Sequence, residues 1–233
     1  MADSNTGRRL HLQAELAREA GRFLEALEYT DKATIAYEND GDIFGLAEIQ
    51  SSRQSTFKHL YRSTGDRLFS ILEKHAAESA VEIAQKCDKP QALAIPYHNL
   101  GKYYAEVEEW GKAAEYFRKA VENLTSYPQN SHSRPSVIAD IEGHRYTAEY
   151  KCGDKTALIR ALKALEDLKT ASEDSYNKAV WITGAHLRIA EMLLKDNPRL
   201  SKEHLEAAGR IIEKDSRLIL RKDQLKKLQQ LFK

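Results

Sequence analysis

EEWGKAAEYFRKA, residues Glu108 to Ala120, is the third of five copies of one thirteen-residue pattern, and the reading of that pattern decides the fold. On either side stand GDRLFSILEKHAA (Gly65 to Ala77) and CGDKTALIRALKA (Cys152 to Ala164), and beyond them GRFLEALEYTDKA (Gly21 to Ala33) and DNPRLSKEHLEAA (Asp196 to Ala208). Successive copies begin 44, 43, 44 and 44 residues apart. Every copy ends on alanine, and seven residues before it the column reads Ala26, Ser70, Ala113, Ala157 and Ser201. Small residues two helical turns apart let neighbouring helices approach closely. A fixed period of about 20 to 50 residues marks stacked supersecondary units rather than one globular core. Binding, not catalysis, is the expected role.

Composition agrees with a helical stack. Ala, Leu, Glu, Lys and Arg are abundant, 42% of residues are hydrophobic and 30% charged, and there are only 11 glycines and 5 prolines, the signature of a largely helical protein. A formal charge of +1 from 36 basic and 35 acidic residues supplies no general field for nucleic acid or membranes. The opening MADSNTGRRLHLQAELAREAG has no apolar run fit for a signal peptide, and no segment approaches the roughly 20 apolar residues that cross a bilayer. A cytoplasmic location without a membrane partner is therefore expected. Cys87 and Cys152 lack the clustered spacing of a metal site or a disulfide framework and read as free thiols.

Turn and cap chemistry recurs in phase with the copies, at Asp40-Gly41-Asp42, Thr64-Gly65-Asp66, Asp88-Lys89-Pro90, Cys152-Gly153-Asp154 and Asp196-Asn197-Pro198. Between these breakers apolar residues return at helical spacing, as in Ala113, Phe117, Ala120, Val121 and Leu124. Ten helices in five antiparallel pairs follow, with an eleventh from about Ser216 to Leu231. The longest connection, Tyr127 to Pro135, is rich in turn formers, and it is the segment where mobility is expected.

Tyr97-His98-Asn99-Leu100-Gly101-Lys102-Tyr103-Tyr104, followed by Trp110 to Ala120, resembles the tetratricopeptide repeat signature. Tyr97, Leu100, Gly101, Tyr104, Ala113, Phe117 and Ala120 match that pattern in order, while the last two copies retain mainly its small residues. The period exceeds the usual length by about ten residues, so each pair carries longer helices or loops. The resemblance covers roughly residues 8 to 214. It implies an all-α, right-handed α-solenoid of about five hairpins over residues 1–215, closed by a basic amphipathic capping helix over 216–233. It also implies that the first helix of each hairpin lines a concave face that holds a partner segment, without cofactor or metal.

Projected by analogy with the family, that face receives Arg8, His11, Glu15 and Arg18, then Ser55, His59 and Arg62, then His98, Asn99 and Lys102. The fourth hairpin contributes Glu142, Tyr146 and Glu149, and the fifth His186. His11, Arg18, His59, Arg62, His98, Asn99 and Lys102 form the expected contact set, suited to an acidic or carboxylate-ended protein segment because such donors make charge-assisted hydrogen bonds. Only Asn99 and Lys102 resemble the family's carboxylate clamp for chaperone tails, so that partner is not expected. The aromatic cluster of Tyr97, Tyr103, Tyr104, Trp110, Tyr116 and Phe117 reads as helix packing rather than a stacking platform.

The closing stretch RLILRKDQLKKLQQLFK holds six basic residues against Asp223, leaving the rest of the chain at 1 − 5 = −4. Its stripe of Leu218, Leu225, Leu228 and Phe232 reads as a cap on the exposed end of the stack; docking to an anionic surface is the alternative. There is no glycine-rich phosphate loop, no nucleophile elbow and no zinc spacing, so no catalytic residue is assigned. Histidine–carboxylate chemistry assembled from separate hairpins and nucleic-acid recruitment by the basic tail are the alternative functions.

Overall fold

The computed structural model describes residues 5–129 and 132–231. Eleven α-helices occur among them, and no strand: α1 (Asn5–Glu19), α2 (Phe23–Asp40), α3 (Ile43–Thr64), α4 (Arg67–Gln85), α5 (Ala94–Glu106), α6 (Trp110–Ser126), α7 (Pro135–Lys151), α8 (Ala157–Thr170), α9 (Ser175–Leu193), α10 (Pro198–Ile212) and α11 (Ile219–Gln230). A 3₁₀ turn at Pro90–Leu93 leads into α5. The chain divides into two compact units, Met1–Glu108 and Glu109–Lys233. The last helix belongs to the second unit, where it packs on α9 and α10.

The helix boundaries follow from local chemistry. Gly41 and Gly65 close α2 and α3 in the left-handed region, at φ 65° and 73°, which costs glycine no side-chain clash. Asp42, Asp66, Asp174 and Asn197 then cap the following helices, each accepting from a backbone N–H two or three residues on. The five thirteen-residue copies fall on α2, α4, α6, α8 and α10 with the turns before them. Four begin at a positive-φ residue: Gly21, Gly65, Glu108 and, one place later, Gly153. The fifth instead opens with Asn197 as cap and Pro198 in the first turn. The recurrence thus marks the turn that starts every second helix, and the fold is repeat-like.

In the first unit α1 pairs with α2 and α3 with α4. Tyr37 of α2 is buried between α1 and α3, its ring lying where a Cβ on Gly7 or Gly45 would come within 2.6 Å and 2.3 Å. In the second unit α7 pairs with α8 and α9 with α10. Their interior is apolar, with Tyr146, Tyr150, Leu165, Leu168, Ile189, Met192 and Leu193 packed around Ala157, Ala161 and Ala164. Leu218 and Leu225 of the last segment bury against Leu187, Ala190, Leu205 and Ala208, with Leu228 packed alongside. Phe232, expected on the same stripe, lies outside the described residues. α11 starts three residues later than expected, because Asp215 accepts from the backbone N–H of Arg217 at 3.1 Å and holds its guanidinium at 2.8 Å. Asn130 and Ser131, in the connection where mobility is expected, also lie outside the described residues. Ser133 of that connection donates to the carbonyls of Leu124 and Tyr127, both at 2.9 Å. Both cysteines are free thiols, and no described helix is long and apolar enough to cross a membrane.

Candidate interaction face

The first helices of consecutive hairpins in the first unit lie side by side, and polar bridges join them. Arg18 of α1 donates to Ser52 Oγ of α3 at 2.8 Å. Arg62 of α3 grips Glu106 of α5 with both arms of its fork, Nε to Oε1 at 2.8 Å and a second, shorter bond to Oε2. Such two-point pairs fix orientation as well as charge. Neither Ser52 nor Glu106 was among the expected contact residues. Each sits 34 or 44 residues from its partner, so only the repeat register connects them.

The seven expected residues are therefore not equivalent. His11 is half-buried against the edge of Tyr37, with ring centroids 6.5 Å apart, and 3.8 Å from Glu15. Burial holds its imidazole below the ordinary range despite the pull of Glu15 and Glu48. His59 stacks flat on Phe23, 5.9 Å between centroids. Lys102 reaches Asn99 Oδ1 at 3.4 Å. His98 and Asn99, expected to face a partner, are buried at 7% and 5% exposure. They fall on the packed side of α5, between Ala94 and Leu100 of its buried set. A helical projection assigns a face but not what covers it.

The acidic character expected of the fourth hairpin is also offset. Glu149 lies 3.2 Å from Arg145 and 3.1 Å from Arg160, and Tyr146 is buried with those two guanidiniums 4.6 Å and 5.1 Å from its ring centroid. His186, expected on the inner face, is buried against His204 of α10, their Nδ1 atoms 2.9 Å apart. One Nδ1 donates and the other accepts, so one proton lies between the rings and the accepting ring carries its own on Nε2. Burial and the neighbouring ring push His186 down to about 4, and burial with Lys169 nearby lowers His204. Both are neutral at pH 7. Arg188 of α9 spans Asp140 and His144 of α7 at 2.7 Å and 2.8 Å. His144 Nε2 therefore accepts, which makes that ring a neutral structural acceptor. Of the aromatic cluster, Phe117 is fully buried and stacks on His144 at 5.2 Å, while Tyr103 and Tyr104 meet edge to face at 5.5 Å.

No protein-family model matches this chain, and no curated protein does. Solved structures do. One is the crystal structure of BtubC (BKLC) from P. vanneervenii, 16% identical with a TM-score of 0.59, covering 88% of this chain and 78% of that one. A likeness at that identity is one of fold, and it agrees with the repeated helical pairs described above.

Proposed function

We propose that this chain is a non-enzymatic helical-repeat scaffold of the tetratricopeptide type, its hairpins wound as a right-handed α-solenoid, that binds a segment of a partner protein. The observation that carries the reading is the layer of first helices in the amino-terminal unit, α1 bridged to α3 by Arg18 and Ser52 and α3 bridged to α5 by Arg62 and Glu106. A layer held by such bridges is preformed, so the ordering cost of binding falls on the incoming segment. His11, His59 and Lys102 stand on it together with the two bridged arginines. An acidic segment is the matching chemistry, with its carboxylates competing against Glu106 for Arg62. The cytoplasm is the proposed location.

The test is affinity capture from cytosolic extract with wild type and a His11→Ala, His59→Ala, Lys102→Ala variant of unchanged helicity. Any captured protein is then purified and its affinity for both chains measured by calorimetry. Loss of one specific, directly binding protein by at least about tenfold in Kd supports the face. Equal binding to both chains, or capture of nothing, overturns it.

A further inference from the structure

The five copies of the repeat pattern bury the same columns, except in one place. The residue four places after the first small position is Thr30, Phe117, Ala161 and Leu205 in copies one, three, four and five, all at 5% exposure or less. In the second copy it is Lys74, whose side chain is 44% exposed. The small position itself is sealed at Ala26, Ala113, Ala157 and Ser201 but only half-buried at Ser70. α4 instead buries the residue one place earlier, Glu73, which is fully enclosed and accepts from Gln54 Nε2 of α3 at 2.7 Å. One residue is about 100° around a helix, so the first turns of α4 bury a different edge from their counterparts and leave Ser70 and Lys74 half-buried, while Ala77 farther along is sealed as in the other copies.

Ser70 and Lys74 line a groove of about 490 Å³ within the amino-terminal unit, inside the range of about 300 to 1,000 Å³ typical of ligand clefts. Its apolar walls are Tyr61 at the end of α3, Ile71 of α4, and Tyr103 and Val107 at the end of α5. Leu68, Ile71 and Leu72 expose 64%, 52% and 43% of their surface on the same helix, a contiguous apolar strip of the kind that marks an interaction site. The charges are one-sided. Arg67, Lys74 and His75 line the groove, and none of its described lining residues is acidic. Glu78, just beyond, stands 3.6 Å from Lys74 and 3.8 Å from His75, exposed pairs that hold neither group tightly.

We propose that this groove docks an acidic peptide segment of a partner protein, one bulky apolar side chain entering between Tyr61, Ile71, Tyr103 and Val107 while carboxylates meet Arg67 and Lys74. The apolar walls receive the side chain, and the basic rim selects the sign of the incoming charge. This rests on the scaffold reading but not on the first-helix face.

The probe is a phage-displayed library of short random peptides selected against the full-length chain, with enriched peptides resynthesised and their Kd measured by fluorescence anisotropy. The enriched peptides should combine Asp or Glu with a bulky apolar residue, and Ile71→Asp should weaken them about tenfold or more. Arg67→Glu with Lys74→Glu should do the same and should regain affinity for a peptide whose acidic residues are replaced by lysine, which a misfolded variant would not. The His11→Ala, His59→Ala, Lys102→Ala variant should bind these peptides as wild type does. Peptides that respond only to that triple variant would overturn the groove while leaving the scaffold reading in place. No enrichment would overturn both. Self-association in sedimentation equilibrium that Ile71→Asp abolishes would overturn the partner peptide in favour of a second copy of this chain.

Discussion

Between α3 and α4 the enclosed side chains include Gln54 and Glu73, whereas between α7 and α8 they include Tyr146, Tyr150, Ala161, Leu165 and Leu168. Both hairpins carry the same thirteen-residue pattern and the same positive-φ turn at Gly65 and Gly153. One buries a carboxyl and leaves Leu68, Ile71 and Leu72 largely in solvent; the other buries Leu165 and Leu168 and leaves Ile159 outside. The pattern that makes a hairpin thus does not dictate which side chains its second helix encloses. Where apolar residues stay outside and polar ones go in, stability has been exchanged for a surface that something else can cover.

Four measurements would break or sharpen this contrast. Trp110 and Trp181 both lie in the second unit, so tryptophan fluorescence follows that unit alone while far-ultraviolet ellipticity follows the whole chain. The largest loss should come from Arg188→Met. It leaves Asp140 buried at 8% exposure without the guanidinium that spans it and His144, and should cost about 4 kcal/mol in urea unfolding read by tryptophan. Next, Leu168→Ala should cost about 3 kcal/mol, while Leu72→Ala, on the exposed strip, should cost less than about 0.5 kcal/mol. Equal costs would show that Leu72 is as enclosed as Leu168.

Glu73 gives the third measurement, through pH. Burial pushes its carboxyl up to about 7, against the opposing pull of Lys58 and the hydrogen bond from Gln54. The folded chain therefore holds this proton more tightly than the unfolded one, whose carboxyl titrates near its ordinary value of 4.5. Its contribution is complete below about pH 4.5 and is lost as pH rises through 7, by up to about 3 kcal/mol. Glu73→Gln should remove this dependence, leaving the variant more stable than wild type at pH 9 by ellipticity-monitored unfolding. Parallel pH profiles for the two chains would show that the carboxyl is hydrated.

The smallest effect tests the turn itself. Glu108 holds a φ of 60° where the equivalent turns hold glycine at 74°, 73° and 108°, so Glu108→Gly should stabilise by about 0.7 kcal/mol. A thermal midpoint at or below that of wild type would show that the side chain offsets the backbone strain.

Much of the fold is legible in the residues. Gly41, Gly65, Asp42, Asp66 and Asn197 act through bonds to their own neighbours in the chain, so their spacing places the helix ends directly. Leu218, Leu225 and Leu228 announce a buried stripe on the last helix, and they are buried or packed there. The candidate face is less legible. Arg62 and Lys102 look alike in the sequence, yet one is clasped by Glu106 of another helix and the other reaches Asn99 of its own. His98 and His186 share the periodicity of exposed groove residues and are buried.

The amino-acid sequence by itself determined the alternation of helix and turn, the repeat length and the small residues that let helices approach, because each depends on contacts within a few residues along the chain. Tertiary structure alone decided that Glu73 is enclosed while Lys74 is not, and that Arg18, Arg62 and Arg188 are bound by partners 34 to 48 residues away. Those pairings exist only once helices are laid side by side, and a helix face carries no local mark of which neighbour will cover it.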